Sequence, residues 1–303
     1  MNIGETIKFF RAQLDFMQKE LVNKHVEASS ISRIEKGVQE IKVEALIEIL
    51  NTMSLTVEEF FSRCQVDQAQ DEWKNLVYNC IDDPDNMNAK NALISYYKML
   101  KNKKKTLKEQ ANYFSIKMYF SRIWPEIAPI SDLELEELYD YLKVKKYYQQ
   151  YDYMIINNTI LLMKDKQQEF IISRIIPIQD EDLRNDEVKR VTRQIIINLV
   201  TSKIYRKDFV GAKKYLQKTE TLDRSNKDYC FALNVEYLKN LLGYLITGEA
   251  FYMKNIHTYI NLLEFIGDKQ TLDAVKEEVK ILTYTNKNTV KMEDNDFPVG
   301  VLK

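Results

Sequence analysis

Residues 16–37 decide the fold of the N-terminal part of this chain, and they read FMQKELVNKHVEASSISRIEKG. Apolar residues recur at helical spacing on either side of a short polar turn, so the stretch predicts two short helices. Ile31 and Ile34 fall on one face of the second helix, which we expect to pack on a core. Gly37 follows that helix, at the position where helices commonly end in a left-handed residue. The stretch therefore predicts a helix-turn-helix unit.

Further segments complete a small helical domain around this unit. Residues 4–14, 17–24 and 43–53 each place apolar side chains on one helical stripe. Thr56, followed three positions later by Glu59, has the pattern of a capping box at the start of another helix. We therefore predict a first domain of five helices around one core, at residues 1–64.

The rest of the chain has the composition and spacing of a helical repeat. Its 303 residues contain 7 Gly and 5 Pro, too few for the frequent tight turns of a sheet protein. Phe170, Phe209 and Phe251 each mark the end of one apolar helix and the opening of the next, at spacings of 39 and 42 residues. Two helices per period are typical of tetratricopeptide-like hairpins stacked in a solenoid. We predict an all-α fold, with repeats over residues 65–284 and a tail over residues 285–303.

The second helix of the helix-turn-helix unit presents a polar face opposite its apolar one. Short side chains such as Ser29 and Ser32 let a helix approach base edges, and Arg33 adds a forked donor. Gln18 and Lys19 open the preceding helix, where backbone N–H groups favour a phosphate. The pattern predicts binding of double-stranded DNA, against the alternative of a merely capped surface helix. The predicted DNA-binding residues are Gln18, Lys19, Ala28, Ser29, Ser30, Ser32, Arg33 and Lys36.

The charge of the chain gives this prediction no support. The formal net charge is −1, and residues 1–66 carry 8 Lys and Arg against 10 Asp and Glu, a balance of −2. Affinity for DNA rests largely on neutralised phosphates, so any basic surface must be local. We interpret the run Lys101–Lys105 as a solvated turn, with proximity to DNA as the second interpretation. A domain that no longer touches DNA stays open as an alternative.

Residues 29–37, SSISRIEKG, resemble the helix-turn-helix of phage-repressor-like (XRE) proteins. Together with residues 3–7 and residues 55–61, they make the chain similar to the Rgg/MutR family, over essentially its whole length. The resemblance implies a lambda-repressor-like first domain. It also implies a cytoplasmic, usually dimeric regulator of transcription whose repeat domain binds a short imported peptide pheromone.

The resemblance also bears on particular residues. It implies that Gln18, Ser29, Ser32 and Arg33 lie at the DNA. The chain departs from part of the family at Val43, where some members carry a cysteine able to link subunits. We therefore expect that redox feature to be absent.

Asparagine and tyrosine residues recur on the predicted repeat helices. One asparagine amide can both donate and accept, which suits it to hold an extended peptide backbone. Arg193 could pair with a peptide carboxylate or lie on a solvated helix face. The alternative is that the asparagines and tyrosines form hydrogen bonds between helices. The predicted groove residues are Asn158, Arg193, Asn198, Asn234, Tyr237, Asn240 and Tyr244.

Catalytic and metal-binding motifs are missing from the sequence. It has no Gly-rich phosphate loop and no paired cysteine motif, and His25 and His257 are its only histidines. We expect no enzymatic activity, no cofactor and no metal. No apolar stretch reaches the roughly 18 residues of a membrane span, and the N-terminus lacks a signal-peptide pattern. We therefore expect a cytoplasmic protein with no membrane partner.

Two functions remain open for the long helical region. In the first, it binds a short signalling peptide and thereby switches a DNA-binding regulator. In the second, it is a docking or dimerisation scaffold with no small ligand. Because proteins of this kind read two half-sites, we expect a homodimer, with an interface near residues 250–283. Inside the first domain, we expect Glu35 to pair with a base such as Arg11.

Overall fold

The computed structural model describes residues 1–222 and 228–284 of the chain. The predicted tail at residues 285–303 lies outside the described residues. Within them the fold is all-α, with fifteen α-helices and no strand, as the sequence predicts. None of the described helices is long and apolar enough to cross a membrane.

The chain divides into two compact units, Met1–Leu93 and the residues from Ile94 onward. Residues 1–64 have a hydrophobic core of their own, built around Ile7, Leu21, Ile31 and Ile49. The limit of the first functional domain at residue 64 stays a prediction.

The first unit contains helices α1 to α5 and the start of α6. Their bounds are α1 Ile3–Gln13, α2 Ala28–Glu35, α3 Val43–Thr52, α4 Val57–Arg63, α5 Gln68–Asp82 and α6 Met87–Lys101. Asn2 with Glu5 forms a capping box at the start of α1. Thr56 with Glu59 forms the predicted one at the start of α4. Because each box satisfies N–H groups that a helix leaves free, it fixes the residue at which the helix begins.

The helix predicted over residues 17–24 is shorter than expected. It is a 3-10 helix, Gln18–Leu21, after which Val22 is extended (φ −64°, ψ 134°). Asn23 and Val26 then exchange backbone hydrogen bonds of 3.1 and 3.2 Å. This local pairing uses the amide groups that a longer helix would need.

The second unit is a succession of helix hairpins. The helices that follow α6 are α7 Leu107–Phe120, α8 Asp132–Val144, α9 Gln150–Thr159, α10 Asp165–Ile175, α11 Asp186–Tyr205, α12 Phe209–Thr219, α13 Tyr229–Thr247, α14 Ala250–Ile266 and α15 Lys269–Tyr284. The odd-numbered helices α7 to α15 contact one another in succession, while α11 packs on α12 and α13 on α14. The three phenylalanines of the predicted repeat lie in α10, α12 and α14, the second helices of these hairpins.

Candidate nucleic-acid interface and candidate peptide groove

Helix α2 is amphipathic and is held against the core by one edge. Ile31 and Ile34 are 1% and 3% exposed. On the other edge Ala28, Ser29 and Arg33 are exposed. The helix therefore offers solvent the short polar side chains and the single long forked donor that the sequence predicts.

The C-terminal end of α2 is fixed by a Schellman motif. Gly37 has φ +69°, and its N–H donates to the carbonyl of Ile34 at 2.9 Å. The N–H of Val38 donates to the carbonyl of Arg33, also at 2.9 Å. Only glycine adopts this left-handed backbone without a steric cost, so a glycine at this position ends α2 as predicted.

Helices α1 and α2 approach each other backbone to backbone. A Cβ atom placed on Gly4 would lie 1.9 Å from the carbonyl oxygen of Ile34. The absence of a side chain at Gly4 therefore sets how closely α2 packs on α1. This packing orients the exposed edge of α2.

A buried polar network connects α1, the 3-10 helix and α2. The Arg11 guanidinium donates to both carboxylate oxygens of Glu35, as predicted, and the side chain of Glu35 is only 3% exposed. The amide of Gln18 also donates to Glu35, at 2.8 Å. Hydrogen bonding to Glu35 raises the pKa of Arg11 above its ordinary value, although burial opposes that rise. The network holds Gln18 beside α2. The amide oxygen of Gln18 can still accept a hydrogen bond.

The remaining predicted DNA-binding residues differ in exposure. Lys19 and Lys36 are exposed, whereas Ser30 and Ser32 are partly buried. At the start of the 3-10 helix, the Met17 N–H donates to the Glu20 carboxylate at 2.6 Å. That acid competes with a phosphate for this helix terminus, so Lys19 is the better candidate for a phosphate contact.

The predicted groove residues fall into two groups. The side chains of the first group form hydrogen bonds with other residues of the protein. Asn158 donates to Ser115 at 2.8 Å, between α9 and α7. Asn240 donates to the carbonyl of Glu236 and accepts from Asn255 of α14. These contacts match the alternative in which the asparagines form hydrogen bonds between helices.

Arg193 and Tyr237, two further groove candidates, also form hydrogen bonds within the protein. Arg193 donates through Nη1 to Asp228 at 2.9 Å, its side chain is 11% exposed, and its buried Nη2 has no partner among the described residues. Tyr237 is 3% exposed and donates to Glu278 of α15 at 2.6 Å. Neither side chain lies on an open surface. Helical spacing predicted that Tyr237 lies on a groove. Spacing within one helix does not show that a second helix, α15, covers this side chain.

The residues of the second group either have a polar atom without a partner or are partly exposed. Asn198 accepts from Gln194 at 2.8 Å, but its buried Nδ2 donor has no partner among the described residues. Asn234 and Tyr244 are partly exposed on α13. A buried donor without an acceptor is costly, so the Nδ2 group of Asn198 is suited to a ligand carbonyl.

Sequence reasoning did not find the cluster around Glu278. Tyr237 and Glu278 are 41 residues apart and belong to helices α13 and α15. No short motif or period joins such residues, and a single Glu in an amphipathic helix reads as surface. Among the described residues, no group of three or more potential metal-ligating side chains comes together.

This fold and this site define a class: helix-turn-helix regulators that carry a helical repeat domain. The domain described as "HTH-type transcriptional regulator Rgg, C-terminal domain" matches residues 90–277. The chain therefore belongs to the Rgg family of transcriptional regulators, as the resemblance in sequence indicates. No curated protein sequence matched the chain.

Solved structures with the same fold are similar along nearly the whole chain. The SHP pheromone receptor Rgg2 of Streptococcus dysgalactiae has a TM-score of 0.73 at 19% identity, covering 92% of this chain and 99% of that one. The PrgX/cCF10 complex has a TM-score of 0.75 at 19% identity, covering 93% and 92%. A bacterial peptide pheromone/receptor complex has a TM-score of 0.74 at 20% identity, covering 93% and 98%. At these identities the likeness shows the fold.

Proposed function

We propose that this regulator binds DNA sequence-specifically as a homodimer, with α2 of each protomer in the major groove. The observation that carries the proposal is the exposed edge of α2. Ser29 and Arg33 face solvent there, while the opposite edge is buried and the helix end is fixed at Gly37. A slim helix with short polar groups and one forked donor is what base-edge contacts require.

Arg33 is the residue on which specificity would chiefly depend. It is exposed, and within the described part of the chain it forms no ion pair. A guanidinium can donate two parallel hydrogen bonds to one guanine, which is the commonest specific contact in the major groove. Lys19 and Lys36 would then hold phosphates on either side.

The test is selection of genomic DNA fragments by the purified full-length protein, beside Arg33→Ala and Lys74→Ala. Lys74 is an exposed residue of α5, away from the α2 edge in sequence, and serves as the matched control. We expect a motif of two half-sites for the wild type and the control. Arg33→Ala should lose about 1–3 kcal/mol of specific binding, roughly 5- to 150-fold. A motif that the Arg33 variant keeps at full affinity would contradict the placement of α2.

We further propose that a short peptide bound to the layer of α7, α9, α11 and α13 switches the regulator. The fold that this chain shares with the PrgX/cCF10 complex supports the proposal, as does the unpartnered donor of Asn198. In an α-solenoid, equivalent helices of successive hairpins line one concave face, which suits an extended ligand.

A second candidate function is a scaffold without a small ligand. It is favoured by the internal partners of Asn158, Arg193, Tyr237 and Asn240, because these side chains already serve the packing of the repeat. The two candidates differ in whether a peptide binds saturably and in what Asn198 contributes to that binding.

A further inference from the structure

One segment of this nearly neutral chain is strongly basic. Residues 86–108 contain seven lysines and no Asp or Glu, whereas the whole chain has a formal net charge of −1. The other residues together therefore carry −1 − 7 = −8. A segment with this excess of positive charge is suited to interact with a polyanion.

Three of these lysines form an exposed basic surface. Lys98 and Lys101 lie in the last turn of α6, and Lys104 lies in the turn that leads to α7. All three are exposed, and no ion pair holds them in the part of the chain that the structure describes. We refer to Lys98, Lys101 and Lys104 as the lysine surface.

The neighbouring lysines are already engaged. Lys103 forms an ion pair with Glu109, and the Lys105 ammonium lies 4.5 Å from the centroid of the Tyr113 ring. These contacts hold the turn between α6 and α7 in place. The lysine surface therefore lies on the end of α6 and on the ordered turn that follows it. Its three ammonium groups form no ion pair within the described residues.

Helix capping explains only part of this surface. Cations near a helix C-terminus are favoured by the helix dipole, which accounts for Lys98 and Lys101. Lys104 lies beyond the end of α6 and gains little from the dipole. Unpaired lysines that adjoin one another repel, and an anionic partner would relieve that repulsion.

We infer that the lysine surface binds the phosphate backbone of the DNA that flanks each half-site. This inference rests on the proposed function. Residues 1–66 carry a balance of −2, so the helix-turn-helix unit has little charge with which to neutralise phosphates. DNA affinity depends on that neutralisation, and the lysine surface supplies it from the same chain. The contact reads no sequence and adds affinity and salt dependence.

The test uses the full-length variant with Lys98→Gln, Lys101→Gln and Lys104→Gln. The matched control carries Lys74→Gln, Lys146→Gln and Lys166→Gln, three exposed lysines outside the predicted dimer interface whose replacement changes the net charge equally. Binding is measured between about 50 and 200 mM salt on two duplexes that contain the recovered site. One duplex ends at the half-sites and the other extends about 20 bp beyond them, roughly two helical turns.

On the long duplex, the wild type and the control should lose affinity more steeply with salt than the lysine-surface variant. The logarithmic slope should differ by about 2–3 per engaged protomer, so each engaged protomer makes the wild type lose about 40-fold more affinity over that fourfold change in salt. On the short duplex the three proteins should agree. Equal slopes on the long duplex would overturn the inference while leaving the proposed function intact.

A long duplex of arbitrary sequence separates the two proposals. Lysine-dependent binding to it would support the inference even if no specific site is recovered, which would itself contradict the proposed function. Sedimentation with phosphatidylglycerol vesicles is the remaining comparison. Lysine-dependent binding to vesicles with equal slopes on DNA would assign the surface to a membrane and overturn the inference.

Discussion

Glu35 is the residue on which the geometry of the helix-turn-helix unit converges. It lies on α2, yet its carboxylate accepts from Arg11 of α1 and from Gln18 of the 3-10 helix. A carboxylate that is 3% exposed is tolerated only when partners replace the water it has lost. The position of α2 is therefore tied to Gln18, the side chain of the preceding helix that we predict to lie at the DNA.

Replacing Arg11 should loosen this unit more than an ordinary surface substitution would. Arg11→Ala leaves Glu35 buried beside a single neutral donor, and removing one partner of a buried pair costs about 3–5 kcal/mol. We expect amide hydrogens of α1 and α2 to lose about 3 kcal/mol of opening free energy in hydrogen exchange. The double variant Arg11→Met, Glu35→Leu should recover much of that loss, because no charge is then left unpaired. Unchanged protection in Arg11→Ala would show that the pair carries no stability.

At the scale of residues, the sequence predicted features that depend on neighbours within the same small domain. The glycine that ends α2 at residue 37 follows from helical spacing, and the pairing of Glu35 with Arg11 joins two helices of one small domain. The partners of Tyr237 and Asn240 were not predictable, because they lie on α15 and α14. Helical spacing tells which residues share a face and leaves open which neighbouring helix covers that face.

At the scale of elements, α15 is attached to the rest of the repeat through an unusual carboxylate. Glu278 accepts from Tyr237 of α13 at 2.6 Å, and Tyr205 of α11 also donates to it. Tyr259 of α14 stacks on Tyr237, with ring centroids 5.0 Å apart. Burial raises the pKa of Glu278 to about 7, even though the two tyrosine hydrogen bonds oppose that rise.

The attachment of α15 should therefore weaken as the pH rises through 7. A carboxyl whose folded pKa lies above its unfolded value of 4.5 stabilises fully below that value, and its contribution is lost as the pH passes the folded pKa. Between pH 5.5 and pH 7.5 we expect the free energy of unfolding to fall by about 1–2 kcal/mol relative to Glu278→Gln. Urea unfolding of both proteins at several pH values measures the difference. The control Glu277→Gln, which changes the exposed neighbouring residue, should lose stability with rising pH as the wild type does. A difference in unfolding free energy between wild type and Glu278→Gln that does not change with pH would contradict the raised pKa.

Most helices were predictable from the sequence because their ends carry capping residues. Thr56 starts α4 as predicted, and Ser131 caps the start of α8 in the same way. The 3-10 helix was not predictable, since its early end depends on backbone hydrogen bonds between Asn23 and Val26 that no side-chain pattern announces. The stacking order of the repeat helices likewise depends on packing rather than on capping or period.

At the scale of the whole molecule, the two functions proposed for the repeat domain place different demands on its asparagines. A scaffold needs amides that are satisfied within the protein, as Asn240 is by Glu236 and Asn255. A receptor needs at least one amide that is completed by a ligand. The Nδ2 donor of Asn198 is buried and has no partner in the described part of the chain. These two residues therefore separate the candidates.

Asn198→Ala and Asn240→Ala should have opposite effects if the protein is a peptide receptor. We expect Asn198→Ala to lower peptide affinity about tenfold, because it removes a donor that only the ligand satisfies, while the lost acceptor for Gln194 costs some stability. Asn240→Ala should cost about 1–3 kcal/mol of stability, since it leaves Asn255 of α14 without its acceptor, and should change affinity less. Fluorescence anisotropy with labelled hydrophobic octapeptides, paired with urea unfolding, measures both quantities. If no such peptide binds the wild type saturably, the repeat domain is a scaffold and the regulator responds to no ligand of this class.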